Sequence, residues 1–304
     1  MKEITDYKPV IIGVDHGYGN IKTEHCVFPS GVERVAEVLA SAQVLVYEGN
    51  TYVVGENHLT YQNDKTGDQN FYILTLAAVA EELLYRKYSP NANIILAVGL
   101  PLAWIGAQRK SFKHYLEQNR EPEFEYKDVQ FHLHIERVLV LAQGLAESCL
   151  IDSSVGDHMI ADIGNGTMNI VRFVDGKPIE KSLTTERFGV GICIRNIREE
   201  LSRSLGRDVE ERIIDRLIRE GFAGKSDTIS SATGRIAKEY AAEIIRKLKD
   251  YGYIENYVRL HVFGGGGCLL KNYSDLPDKQ DVEFNEDICA NAKCYAKWAE
   301  SGQL

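Results

Sequence analysis

The stretch VIIGVDHGYGNIK (10–22) runs from apolar residues into an aspartate and then places two glycines one residue apart. MIADIGNGTMNIV (159–171) does the same. With Asp15 set against Asp162, Gly17 falls on Gly164 and Gly19 on Gly166. A glycine-bearing turn lets backbone N–H groups approach a phosphate without side-chain clash. The aspartates would not touch phosphate, since like charges repel. They suit a hydrated magnesium ion, which takes a few carboxylates plus water and phosphate oxygens. Lys22, in the strand after the first turn, would be a counter-charge to the phosphates. Either turn alone reads as well as a plain tight hairpin. Two turns with the aspartate in register make that reading the weaker one.

Two more features could complete such a site. The run Gly264 to Gly267 also follows an apolar stretch, LHVF, and suits a nucleotide pressed flat against backbone. Gln143 closes VLVLAQ (138–143). A glutamine is no strong base, but it can orient a water for in-line attack on a phosphate. From its position alone, the plainer reading of Gln143 is a polar residue at a helix start.

The elements that would position these residues alternate along the chain. Strands are expected over 10–15 and 21–28. A hairpin over 43–54 pivots on Gly49-Asn50. Apolar spacing gives a helix over 71–88, then a buried strand over 94–101 and a helix over 102–119. Strands follow in 121–136 and at 138–143, then a helix over 144–150. A strand–hairpin–strand block reaches 185. Helices are expected over 190–205, 208–220 and 231–250, a strand into a glycine turn over 260–267, and a last helix over 286–300. Strands precede helices repeatedly, which argues for an α/β protein. The repeated turn argues for two similar halves, residues 1–150 and 151–284, with the C-terminal helix in 285–304 crossing back onto the first.

Bulk properties narrow the function. The chain has 304 residues, 44% hydrophobic and 26% charged, as expected of a globular protein with room for two cores. Its formal net charge is −9, from 35 basic and 44 acidic residues, so no net positive face is evident for gripping DNA directly. The six cysteines form no C-x-x-C pair. They read as reduced thiols of a cytoplasmic protein. Neither a signal peptide nor a membrane span is evident.

Taken in order, these motifs resemble the superfamily of actin, sugar kinases and chaperone ATPases. DHGYGNIK (15–22) resembles its first phosphate loop, DIGNGT (162–167) its second, FGVGI (188–192) the glycine turn beside the nucleotide, and FGGGG (263–267) its adenosine motif. Gln143 lies where the connecting segment carries the water-positioning residue. Within the superfamily, the short chain, the D-x-G-x-G-N-x-K loop and the turn VGLP (98–101) look most like the ParM/StbA group of bacterial actin-like proteins. The resemblance implies an actin-like ATPase fold, two related ribonuclease H-like domains around a nucleotide cleft. It implies nucleotide contacts at Gly17, Tyr18, Gly19, Asn20, Lys22, Gly164, Asn165, Gly166, Thr167, Gly191, Gly264, Gly265 and Gly266. Asp15 and Asp162 would organise Mg2+ through water, and Gln143 would orient the attacking water. His16 and Tyr18 depart from the family pattern by their bulk, as do Asn165 and Thr167 by their type.

The implied function is a filament-forming ATPase that segregates plasmid or mobile-element DNA. The DNA would be reached only indirectly, through a separate adaptor of the ParR type. GTP in place of ATP stays open. Three rivals share the fold: a small-molecule kinase, a chaperone or reactivase, and a non-polymerising scaffold. A kinase needs a catalytic aspartate base and a substrate pocket, for which the sequence offers no convincing candidate.

Overall fold

A computed structural model describes residues 8–37, 43–56, 58–59, 64–221 and 227–302. The chain divides into two compact units. The first runs to Leu100, takes up Trp104–Cys149 and closes with the segment from Cys289; the second holds Pro101–Ala103 and Leu150–Ile288.

Among the described residues of the first unit, nine strands form one sheet: β1 (Val10–His16), β2 (Asn20–Lys22), β3 (Val27–Pro29), β4 (Val32–Val35), β5 (Gln43–Tyr47), β6 (Asn50–Val54), β7 (Asn91–Leu100), β8 (Glu123–Tyr126) and β9 (Val129–Ala142). Their order is β3-β2-β1-β7-β9-β8-β5-β6-β4. The centre, β1-β7-β9, is parallel. Such a sheet must be covered on both faces, and the ends of β1, β7 and β9 nearest Asp15 are largely buried. Helix α1 (Asn70–Tyr85) is buried nearly all round and packs with Ile12, Val14, Leu96 and Val98 on one face. Helix α2 (Leu102–Leu116) follows β7.

The second unit repeats the plan in smaller form. Its sheet consists of β10 (Asp157–Ile163), β11 (Met168–Val174), β12 (Lys177–Pro178), β13 (Thr184–Glu186), β14 (Val258–Phe263) and β15 (Val282–Phe284). The order is β12-β11-β10-β14-β15, with β13 on β11. Its core joins β10, β11, β14 and β15 to α3 (Val190–Leu205), α4 (Glu211–Glu220), α5 (Thr228–Asp250) and α6 (Gly266–Tyr273). The chain ends in α7 (Ala290–Ser301), which covers the other face of the first sheet. There Cys294, Tyr295 and Ala299 pack with Ile95, Ala97, Leu139 and Leu141. The approach is close: a Cβ on Gly13 would sit 1.9 Å from the Ala292 carbonyl oxygen, and one on Gly99 would sit 2.1 Å from the Tyr295 hydroxyl.

Several elements differ from the sequence reading. The strand expected over 21–28 is two, β2 and β3, joined by a turn at Thr23–Cys26. The separate strands expected before and after residue 137 are one strand, β9, with a register shift where Ile94 pairs with Ile135 and Ile95 with Arg137. The extra residue is Glu136. Before it β9 alternates buried and exposed; after it the strand is almost wholly buried, so the pattern changes within one element. The helix expected over 144–150 is a short 3-10 turn, Ala146–Leu150. The glycine turn expected after β14 holds a helix start, since α6 opens at Gly266.

Candidate functional site

The first loop turns its bulk inward. His16 and Tyr18, conspicuous in the sequence, are buried against Phe71, with the rings edge-on at 5.9 Å in both cases. His16 Nε2 lies 2.7 Å from the Thr75 hydroxyl, itself on α1. Burial, with Lys65 nearby, lowers the His16 pKa to about 3, so the ring is neutral. The loop carbonyls are bonded on the same inner side. Lys65 donates to the His16 carbonyl at 2.6 Å, the Ser30 hydroxyl to that of Tyr18, and the Ser30 N–H to that of Gly19 at 3.1 Å. In a planar trans peptide the N–H points opposite to the C=O. The N–H groups of Gly17 and Gly19 are therefore turned away from Lys65 and Ser30. Gly17 must be glycine, because a Cβ there would lie 2.6 Å from the Asn20 carbonyl oxygen.

Strand pairing then assembles the charged groups. Asp15 sits opposite Lys22 in the β1–β2 register, and Lys22 Nζ donates to Asp15 Oδ2 at 2.9 Å. Gln143, just past β9, donates through Nε2 to Asp15 Oδ1 at 3.2 Å. Both Asp15 and Gln143 are buried, while the Lys22 side chain keeps 20% exposure. Burial would raise the Asp15 pKa, but the charge and hydrogen bond of Lys22, with Lys65 behind, outweigh it and hold the carboxyl below its ordinary range. The fold thus brings together three of the sequence candidates, Asp15, Lys22 and Gln143.

In the second loop Asp162 lies opposite Asn169, the same seven-residue spacing as Asp15 to Lys22. Asn169 Nδ2 donates to Asp162 Oδ2 at 3.4 Å. The Asn169 side-chain oxygen accepts from the Thr185 hydroxyl at 2.8 Å and from the Leu102 N–H at 3.3 Å. Gly164 N–H closes the turn onto the Thr167 carbonyl at 2.8 Å. The segment opening α3 packs on this turn: Val190 N–H donates to the Gly164 carbonyl and Gly191 N–H to that of Asn165. A Cβ on Gly189 would lie 2.3 Å from the Asn165 carbonyl oxygen, and one on Gly191 would lie 2.8 Å from Asn165 Oδ1. These two glycines are dictated by the loop beneath them.

The third glycine run also leans on β10. Gly264 has φ +80°, and a Cβ there would meet Ile163 O at 2.6 Å and Asp162 Oδ1 at 2.8 Å. Gly266 lies against the Ile163 side chain. Gly265 is different: its nearest neighbour is Arg219 Nη2 at 3.9 Å, so its lack of a side chain answers no contact within the unit. It immediately precedes α6, whose N-terminal N–H groups carry partial positive charge.

Among the described residues no cluster of three or more His, Cys, Asp or Glu side chains could cage a metal. Each unit instead carries a buried carboxylate near a strand end, Asp15, held ionised, in the first and Asp162 in the second, a donor type that suits an ion keeping most of its water. Sequence reasoning missed Lys65, His16 as a support and Asn169. Asn169 could have been found by extending the alignment of the two loops to the position matching Lys22.

Residues 13–145 match the family model of the N-terminal domain of actin-like proteins. Residues 160–273 match that of the C-terminal domain of archaeal actin homologue, MreB-like proteins. The chain belongs to the actin-like proteins. Its fold is similar to that of Ta0583, an archaeal actin homologue solved in complex with ADP: TM-score 0.77, 20% identity, covering 96% of this chain and 99% of that one. It is similar to the subunit of a 15-stranded ParM filament from Clostridium botulinum: TM-score 0.77, 19% identity, covering 97% and 100%. The apo psk41 ParM protein follows at TM-score 0.70 and 18% identity, covering 96% and 97%. Likeness at this identity is likeness of fold. No curated protein matches the chain. No helix among the described residues is long and apolar enough to cross a membrane.

Proposed function

We propose that this chain is a magnesium-dependent, nucleotide-driven ATPase that assembles into filaments and segregates plasmid or mobile-element DNA through a separate DNA-binding adaptor. The observation that carries the nucleotide part is the cluster of Asp15, Lys22 and Gln143 beside a loop whose carbonyls are bonded on its inner side. The fold likeness to a homologue in complex with ADP and to a ParM filament supports the rest. The acidic net charge of −9 fits delegation of DNA binding to an adaptor.

In this reading the outward N–H groups of Gly17 and Gly19 donate to phosphate oxygens, and the second loop does likewise through Gly166 and its neighbours. Lys22 neutralises phosphate charge. Gln143 donates to Asp15 through its nitrogen, which fixes the amide and presents its oxygen as acceptor to the attacking water. Asp15 and Asp162 would hold magnesium through its waters, and the ion would supply screening of the charge on the outer phosphates. The chemistry is positioning and charge stabilisation. Gly265 is where the nucleoside can lie against backbone.

The kinase reading is less well supported. A cavity of about 450 Å³ in the second unit, lined in part by Asp152, His158, Tyr257 and Arg259, opens at the Asp157 end of β10. Asp162 is five residues along that strand, roughly 17 Å away, too far for an acceptor held there to receive a phosphoryl group.

Gln143→Ala tests the catalytic part. Hydrolysis is expected to fall by about 100-fold, in the range of losing a positioned polar catalyst, while nucleotide affinity stays within about twofold of wild type. Equal losses in hydrolysis and binding would make Gln143 a structural residue of Asp15 instead.

A further inference from the structure

A lysine is almost never fully buried without a task. Lys65 is 2% exposed. It lies in the polar stretch before α1, which carries no motif and no periodicity. Its ammonium is held in place by the His16 carbonyl at 2.6 Å and by the faces of Tyr18 and Phe71, whose ring centres are 5.6 and 5.3 Å away. It is thus fixed behind the first loop, one residue along from Asp15, on the side away from the outward N–H groups.

Asp15 faces a conflict that Lys22 alone does not solve. Lys22 is bonded to Asp15, and in the nucleotide reading it is also the cation in the loop for a phosphate. An ammonium drawn fully to phosphate leaves a buried carboxylate beside an incoming polyanion, which is costly at low dielectric. Lys65 cannot follow Lys22, because the carbonyl that accepts from it and both rings lie in the interior.

We propose that Lys65 is a positioning residue for nucleotide binding: it is the fixed counter-charge that stays with Asp15 when Lys22 turns to the phosphates. Lys65 touches no ligand itself. It acts by freeing Lys22, and the loop therefore works with two lysines, one mobile and one fixed. This rests on the nucleotide reading above.

The test is a double-mutant cycle on ADP affinity, by titration calorimetry, in EDTA so that magnesium does not enter. Lys65→Met is expected to weaken ADP by about tenfold, the order of one partly screened charge contact. In an Asp15→Asn background, which removes the carboxylate that needs a counter-charge, Lys65→Met is expected to cost no more than about twofold. Adenosine, which has no phosphates, should bind all four proteins alike. An equal loss in both backgrounds, or a loss shared by adenosine, would overturn the proposal and leave Lys65 as a prop for the loop. If Lys65→Met does not fold by circular dichroism, Lys65→Gln, which keeps a donor without the charge, is read in the same cycle. If wild type binds ADP only with magnesium, the cycle is read there. If wild type binds ADP under neither condition, the nucleotide reading fails first and this proposal with it.

Discussion

The two phosphate-loop candidates are the same device with different supports. In each, a buried strand carries an aspartate one residue before its end, the chain turns on glycines, and the partner strand places a side chain opposite that aspartate seven residues on. In the first unit that side chain is Lys22; in the second it is Asn169. A lysine brings charge and reach. An asparagine brings two donors and an acceptor in a rigid plane, and here it uses both ends, giving to Asp162 and accepting from Thr185 and Leu102. In the proposed reading the first loop can therefore exchange partners, whereas the asparagine of the second is held at both ends. The two units share a strand–turn plan and differ in the residue opposite the aspartate.

Exchanging the supports is the sharpest way to break this comparison. Lys22→Asn should weaken ATP and ADP by about 30-fold or more, the loss of one charge-assisted phosphate contact; titration calorimetry reads it. Asn169→Ala should act the other way round. It removes one hydrogen-bond partner from each of Asp162, Thr185 and the Leu102 N–H, at a cost of about 2–3 kcal/mol in stability, measured by urea unfolding. If Asn169→Ala left stability unchanged and only weakened nucleotide, the two loops would be alike after all.

A smaller effect concerns acid. In the second unit, His261 lies 3.0 Å from His158 and pairs with Glu283. Burial lowers its pKa to about 4, with His158 and Arg259 adding to the shift and Glu283 opposing it. A depressed histidine pKa means the unfolded chain binds the proton first. The stability this group contributes is complete above about pH 6.5 and falls as pH drops toward 4. About 1–2 kcal/mol should be gone at pH 5, and His261→Asn should flatten that part of the slope in urea unfolding.

How much of this was legible in the sequence depends on how far apart the partners are. Asp15 and Lys22 could be paired by eye, because a two-strand turn is local. The link from Gln143 to Asp15 spans 128 positions and exists only once β9 lies in the sheet with β1 and β7. Lys65 gave no signal, since a polar segment looks alike whether its lysine is solvated or buried. Four glycines in a row read as a turn because glycine disfavours helix. Yet Gly266 and Gly267 open α6, held there by packing on Ile163 and Val262. The bulk of His16 and Tyr18 counted against a phosphate loop until the fold turned both rings inward.

Nucleotide-driven assembly is the property on which the proposed function depends most. Right-angle light scattering and phosphate release, followed together after magnesium-ATP is added over a range of protein concentrations, would decide it. Scattering that stays flat below a threshold concentration, rises above it and then decays as phosphate appears is the predicted result. Steady phosphate release with flat scattering at every concentration would contradict it, and would leave an actin-fold ATPase that works as a monomer.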